Sequence, residues 1–196
     1  MYFAALRPAE VIHLRVDDCQ LPETGWGTLH LTGSTQRAGQ DWSDSGDVTE
    51  DRALKHRAVT ATRIVPAAPE LVRLLRYHIA EYGAGADGRL FSRRWHPDGP
   101  VSKETYARAW RNARKEALSE AQQRTPLAKV PYHLRHAAVS LWLNAGVPAT
   151  QVAEWAGHSV NVLLKVYAKC IDGQDDAARR RIEAALRQQD EEQPPS

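Results

Sequence analysis

Residues 132–167 read Tyr-His-Leu-Arg-His-Ala-Ala-Val-Ser-Leu-Trp-Leu-Asn-Ala-Gly-Val-Pro-Ala-Thr-Gln-Val-Ala-Glu-Trp-Ala-Gly-His-Ser-Val-Asn-Val-Leu-Leu-Lys-Val-Tyr. Glycine and proline divide this stretch into helices. One runs from Tyr132 to Asn144 and stops at Gly146, as glycine stops a helix in the left-handed conformation. A short one runs from about Pro148 to Ala156 and stops at Gly157. Another spans Val160 to about Cys170, and a last one spans about Gln174 to Gln188. The acidic, proline-containing segment 190–196 has the composition of a disordered tail. Upstream, Thr125–Pro131 is a connector and Ser102-Lys-Glu-Thr opens a helix to about Gln122. Before it, apolar residues at 71, 72, 74, 75 and 79 repeat with helical period and end at Gly83. Pro8 starts a short helix that ends near Asp17-Asp18. Two strand candidates, 25–33 and Ala58–Val65 (closed by Pro66), flank a polar loop at 34–53. The expected fold is mainly α with a small antiparallel β-sheet (α+β) in one domain.

Hydrophobic content of 42% and charged content of 26% are those of an ordinary globular protein. No apolar run is long enough for a membrane span, and no secretion signal opens the chain, so a cytoplasmic location is the default. Cys19 and Cys170 are far apart and lack metal-ligand spacing, which reads as reduced thiols. Net charge is only +2. Its distribution is uneven: Arg89–Lys115 holds eight Lys or Arg against two acids, and Asp17–Asp51 holds eight acids against one Arg. That permits a focused positive face for a polyanion. Arg108, Arg111 and Lys115 could equally form a solvated helix face.

Four places carry residue types suited to phosphodiester chemistry. They are Arg7 in Leu-Arg-Pro-Ala-Glu, Lys55 in Leu-Lys-His-Arg, Arg135 in Tyr-His-Leu-Arg-His, and Gly-His158-Ser with Tyr167 nine residues later. Singly each is ordinary, since a helical Arg is usually a surface ion pair and a helical Tyr is usually packed. Together, in this order, they resemble the catalytic domain of tyrosine recombinases, the phage integrase family, most of all integrases of actinobacterial mobile elements. The resemblance spans residues 1–172 and is most specific from Tyr132 to Tyr167. It implies site-specific DNA recombination or integration through a 3′-phosphotyrosyl intermediate. Arg7 and Arg135 would clamp the scissile phosphate with planar guanidinium forks. Tyr167 would attack phosphorus, and Lys55 would protonate the departing 5′-oxygen, although Arg57 or Arg63 could be confused with it. His158 would hydrogen-bond the phosphate or assist proton transfer. No cofactor and no metal are implied. The partners implied are double-stranded DNA and, in the full-length form, further copies in a homotetramer on DNA, with no membrane.

Two departures from the family pattern stand out. The family has His three residues before the second arginine, and here that position is Tyr132. His133 and His136 read as helix packing and capping. The chain also begins six residues before Arg7, which implies that the upstream core-binding domain and one or two helices of the catalytic domain are missing. The expected division is a catalytic domain over 1–172, a C-terminal helix over 173–189 and a tail over 190–196. That helix could exchange between neighbours in a tetramer or pack on its own domain. An active strand-exchange enzyme is the first reading. A non-catalytic DNA-binding remnant is the alternative, and a helical interaction domain with chance matches is a distant third.

Overall fold

The computed structural model describes residues 1–37, 49–54, 62–93, 99–168 and 175–192. Helix α1 (Pro8–His13) starts where proline pre-sets the first turn. Glu10, at the third helical position, reaches back to accept the Arg7 amide at 2.7 Å. The helix stops at His13 rather than continuing toward Asp17. Beyond it the backbone turns to residues 88–90: Val16 N–H donates to Gly88, and Leu90 N–H donates to Leu14.

A three-stranded antiparallel sheet has the order β1 (Cys19–Gln20), β2 (Gly27–Leu31), β5 (Arg63–Ala67). On β2, Leu29 and Leu31 are buried; on β5, Arg63, Val65 and Ala67 are. This two-residue period brings Arg63, a charged residue, to the covered face. Pro66, expected to end the second strand, lies within β5 opposite Thr28. An edge strand tolerates it because the missing N–H would face away from its single neighbour.

The stretch expected to be a loop at 34–53 contains a second antiparallel pair, β3 (Gly33–Arg37) and β4 (Thr49–Ala53), with Thr35 opposite Asp51. Polar anchoring holds it in place. Thr35 Oγ1 donates to Asp51 Oδ1 at 2.5 Å, and buried Arg89 donates to Thr35 Oγ1 and both Asp51 oxygens. Burial would raise the Asp51 carboxyl, but Thr35 and Arg89 outweigh it and hold it below the usual range. Lys55 and residues 58–61 of the expected second strand lie outside the described residues.

Helix α2 (Pro69–Tyr82) covers the sheet with Val72 and Leu75. The helix expected to reach Gln122 is two: α3 (Lys103–Ala117) and the short α4 (Glu120–Gln123). Ser119 restarts it, its hydroxyl accepting from Gln122 N–H while the Gln122 side chain accepts from Ser119 N–H. Then come α5 (Tyr132–Asn144), α6 (Ala149–Ala156), α7 (Val160–Tyr167) and α8 (Asp175–Glu192). The last continues to Glu192, beyond the end expected near Gln188.

Two apolar cores result. One joins the first sheet and α2 with Leu6, Leu14 and Leu90. The other joins α5, α6 and α7 around Val139, Val152 and Leu163, and includes Ala5 and Tyr167. Trp142 packs against both, its ring edge-on to Trp155 at 5.5 Å. Among the described residues no helix is long and apolar enough to cross a membrane.

Candidate active site

Gly157 caps α6 in the left-handed conformation, φ 65° and ψ 45°. A Cβ there would stand 2.2 Å from Arg63 Nη1 and 3.2 Å from Arg7 Nη1. The position therefore demands glycine twice, for its backbone angle and for the guanidinium groups pressed against it. Its carbonyl accepts from Arg7 Nη2 at 2.6 Å. Arg7, at the mouth of α1, also donates from Nη1 to Glu10 Oε1 at 2.9 Å.

Arg135 projects from α5 and is fully buried. Its Nη2 donates to the Ala156 carbonyl at 2.5 Å, and its Nη1 donates to the Ala5 carbonyl. Ala5 is itself in the left-handed region at φ 46°. Such a conformation costs a non-glycine residue about 1–2 kcal/mol, and the contact with Arg135 helps hold it. Thus three arginines distant in sequence converge on one turn: Arg7 and Arg63 on Gly157, and Arg135 on the residues either side of it.

Glu10 is the buried carboxylate among them. Its Oε2 is 2.8 Å from Arg63 Nη2 and its Oε1 meets Arg7. Burial alone would raise its pKa, but the guanidinium groups of Arg63 and then Arg7 outweigh that and keep it ionised. Three guanidinium charges against one carboxylate leave a positive excess. Buried donors remain there without acceptors: Arg63 Nε, Arg135 Nε and His158 Nδ1. Buried unpaired donors are costly, so this cluster suits an anion.

His158 follows Gly157 in the turn from α6 to α7. Its Nε2 lies 2.8 Å from Arg135 Nη2. A guanidinium can only donate, so Nε2 accepts and the proton of the neutral ring sits on Nδ1. Burial first, and then the charges of Arg135, Arg7 and Arg63, push His158 down to about 4. At neutral pH it is a hydrogen-bond donor through Nδ1 rather than a titrating acid. The same factors, burial and the Arg7 charge, lower Arg135 from its ordinary value.

Tyr167 ends α7 and is 2% exposed. Its ring stacks on His158, with centroids 6.2 Å apart. Its hydroxyl is 2.7 Å from His136 Nδ1. His136 thus does more than pack or cap. Tyr132, one turn earlier on α5, sets its ring edge against His136 at 5.0 Å. Tyr132 and Arg7 also line an open groove of about 530 Å³ whose rim carries Arg93, Lys103 and Glu104.

Of the residues singled out in the sequence, Arg7, Arg135, His158 and Tyr167 come together; Lys55 lies outside the described residues. Reading the sequence alone missed Glu10, His136 and Gly157 as parts of the site, and named Arg63 only as a rival to Lys55. The signal for Arg63 was its alternation with Val65 and Ala67, which places a charge on a buried face. Among the described residues no group of three or more His, Cys, Asp or Glu is placed to hold a metal.

The Phage integrase family model matches residues 1–172. No protein of curated function matches the chain in sequence. Several solved structures share its fold. A Tn1549 transposon integrase in complex with a circular intermediate DNA superposes with TM-score 0.68 at 17% identity, over 94% of this chain and 56% of that one. The XerH site-specific recombinase bound to difH substrate gives 0.60 at 17% identity, over 94% and 43%. The XerA recombinase gives 0.55 at 22% identity, over 95% and 55%. The chain therefore spans about half the length of the structures it matches. With a family match over most of its length and the catalytic-domain fold of tyrosine recombinases, the chain belongs to the phage integrase family.

Proposed function

We propose that this chain is the catalytic domain of a tyrosine recombinase that cuts and rejoins double-stranded DNA through a 3′-phosphotyrosyl intermediate. The observation that carries this reading is the convergence of Arg7 and Arg63 on Gly157 and of Arg135 on the flanking Ala156 and His158, with three buried nitrogens there lacking acceptors. A phosphodiester brings one negative charge and gains a second as the fifth oxygen joins phosphorus. Donors fixed before the reaction stabilise that added charge without having to reorganise. Arg7 and Arg135 would hold the non-bridging oxygens, and His158 would donate to them from Nδ1. Tyr167 would attack phosphorus and keep the 3′-phosphate. Lys55 is assigned the proton delivered to the leaving 5′-oxygen. The bond energy stays in the phosphotyrosine, so rejoining is the reverse attack by a 5′-hydroxyl. The proposed setting is site-specific integration or excision of a mobile element in the cytoplasm. The full-length protein, with a core-binding domain upstream of the 1–172 catalytic unit, would act as a homotetramer on DNA.

The test is a randomised duplex pool carrying a nick one nucleotide from a fixed phosphate, so that cleavage releases a short strand and traps the adduct. Covalent protein–DNA complex on a denaturing gel, abolished in Tyr167→Phe and strongly reduced in Arg7→Ala, is the expected result. DNA binding without any adduct would favour a non-catalytic remnant.

A further inference from the structure

The reaction needs an acceptor for the Tyr167 proton, because a phenol attacks phosphorus far better as its oxyanion. This inference rests on the reading of Tyr167 as nucleophile. We propose that His136 is the catalytic base: its Nδ1 receives the Tyr167 hydroxyl proton as Oη attacks the scissile phosphate. The 2.7 Å separation of Nδ1 and Oη is within direct transfer distance.

The neighbouring candidates are unsuited. His158 Nε2 is occupied by the Arg135 N–H and its Nδ1 bears the ring proton. Tyr132 is a phenol, a poor base near neutrality. It has another use. Tyr132 and Tyr167 both pack against the His136 ring, with centroids 5.0 and 5.7 Å away. They fix the imidazole plane so that Nδ1 addresses Oη, which makes Tyr132 a positioning residue. Among the described residues, the groups facing His136 are Tyr132, His133 and Arg135 on its own helix, Tyr167 on α7 and His158 in the turn before it. None is a carboxylate. Burial, then His133 and Arg135, lower His136 from its ordinary value and keep its lone pair available at neutral pH.

The step balances. The Tyr167 O–H bond breaks and its proton passes to Nδ1. The Oη–P bond forms, the P–O5′ bond breaks, and O5′ takes a proton from the acid assigned to Lys55. In rejoining, protonated His136 returns the proton to Oη as it leaves phosphorus.

The experiment uses the whole chain and a randomised nicked duplex pool with a 5′-bridging sulfur at the scissile phosphate. A thiolate departs without an acid, so the adduct rate reports on the nucleophile side alone. His136→Asn keeps a hydrogen-bond acceptor near Tyr167 but no basic nitrogen. It is expected to lower the adduct rate by ~100-fold and to remove the acidic limb of the pH–rate profile. In the unaltered chain that limb lies below the ordinary histidine range. Added imidazole restores the rate in His136→Gly. A His136→Asn variant with unaltered rate and acidic limb overturns the assignment of the base and leaves the nucleophile standing, provided Tyr167→Phe is inactive. Adduct formation by Tyr167→Phe, or none by the unaltered chain, overturns the underlying functional reading as well.

Discussion

At Gly157 a hydrogen atom in place of a methyl group leaves space for Arg63 and Arg7. Gly157→Ala is expected to lose stability twice over. The left-handed backbone alone costs about 1–2 kcal/mol, and the new Cβ would displace the Arg63 guanidinium it meets at 2.2 Å. A lowered melting temperature together with weaker adduct formation would show this; an unchanged melt and rate would refute it. His158 gives the site a pH signature. Its folded-state value, about 4, lies below the ordinary 6.5, so between these limits the unfolded chain binds more protons than the folded one. Stability therefore falls as pH drops from 6.5 toward 4. Urea midpoints across that window should show the fall, and His158→Asn should flatten it. Arg135 and Tyr167 were singled out in the sequence through the family resemblance that runs across the Gly-His-Ser turn, and the fold brings both to His158. Glu10 and Arg63 were not legible as a pair. They stand 53 positions apart, and their pairing exists only once β5 lies beside α1. His136 was misjudged because a histidine on a helix looks the same in sequence whether it packs or meets a hydroxyl.

Elements marked by strong stops were read well. Helices α5, α6 and α2 end close to where Gly146, Gly157 and Gly83 predict. The β3–β4 pair was missed because its residues are polar and do not alternate with apolar ones. Its register rests on Asp51, Thr35 and Arg89, an anchor that periodicity does not reveal. The division of α3 from α4 was likewise set by a local exchange of hydrogen bonds at Ser119. Helix α7 matters most to the chemistry, since it carries Tyr167 on the same buried side as Leu163, which is fully covered. Leu163→Ala leaves a hole beneath the helix and should cost about 2–5 kcal/mol in chemical denaturation. It should also slow adduct formation in the fraction that remains folded. Retained stability would mean that α7 is not anchored through this contact.

Across the whole molecule, the basic run counted from Arg89 to Lys115 divides once folded. Arg89 is committed internally to Asp51 and Asp87, and Arg114 to the carbonyls of residues 123, 125 and 127. Arg93 and Lys103 remain at the groove beside Arg7. A charge count along a sequence cannot separate these fates, because both depend on which backbone returns to meet the side chain. The outer surface of α2 and the second core also treat the phenols differently. Tyr77 and Tyr82 are 62% and 69% exposed, whereas Tyr167 is 2% exposed. A phenol-directed electrophile such as N-acetylimidazole should therefore modify Tyr77 and Tyr82 on the DNA-free protein and spare Tyr167, with mass spectrometry of the peptides as the readout. The oxygen assigned the attack on phosphorus would then be one closed to chance acylation, sheltered from stray chemistry in the DNA-free chain.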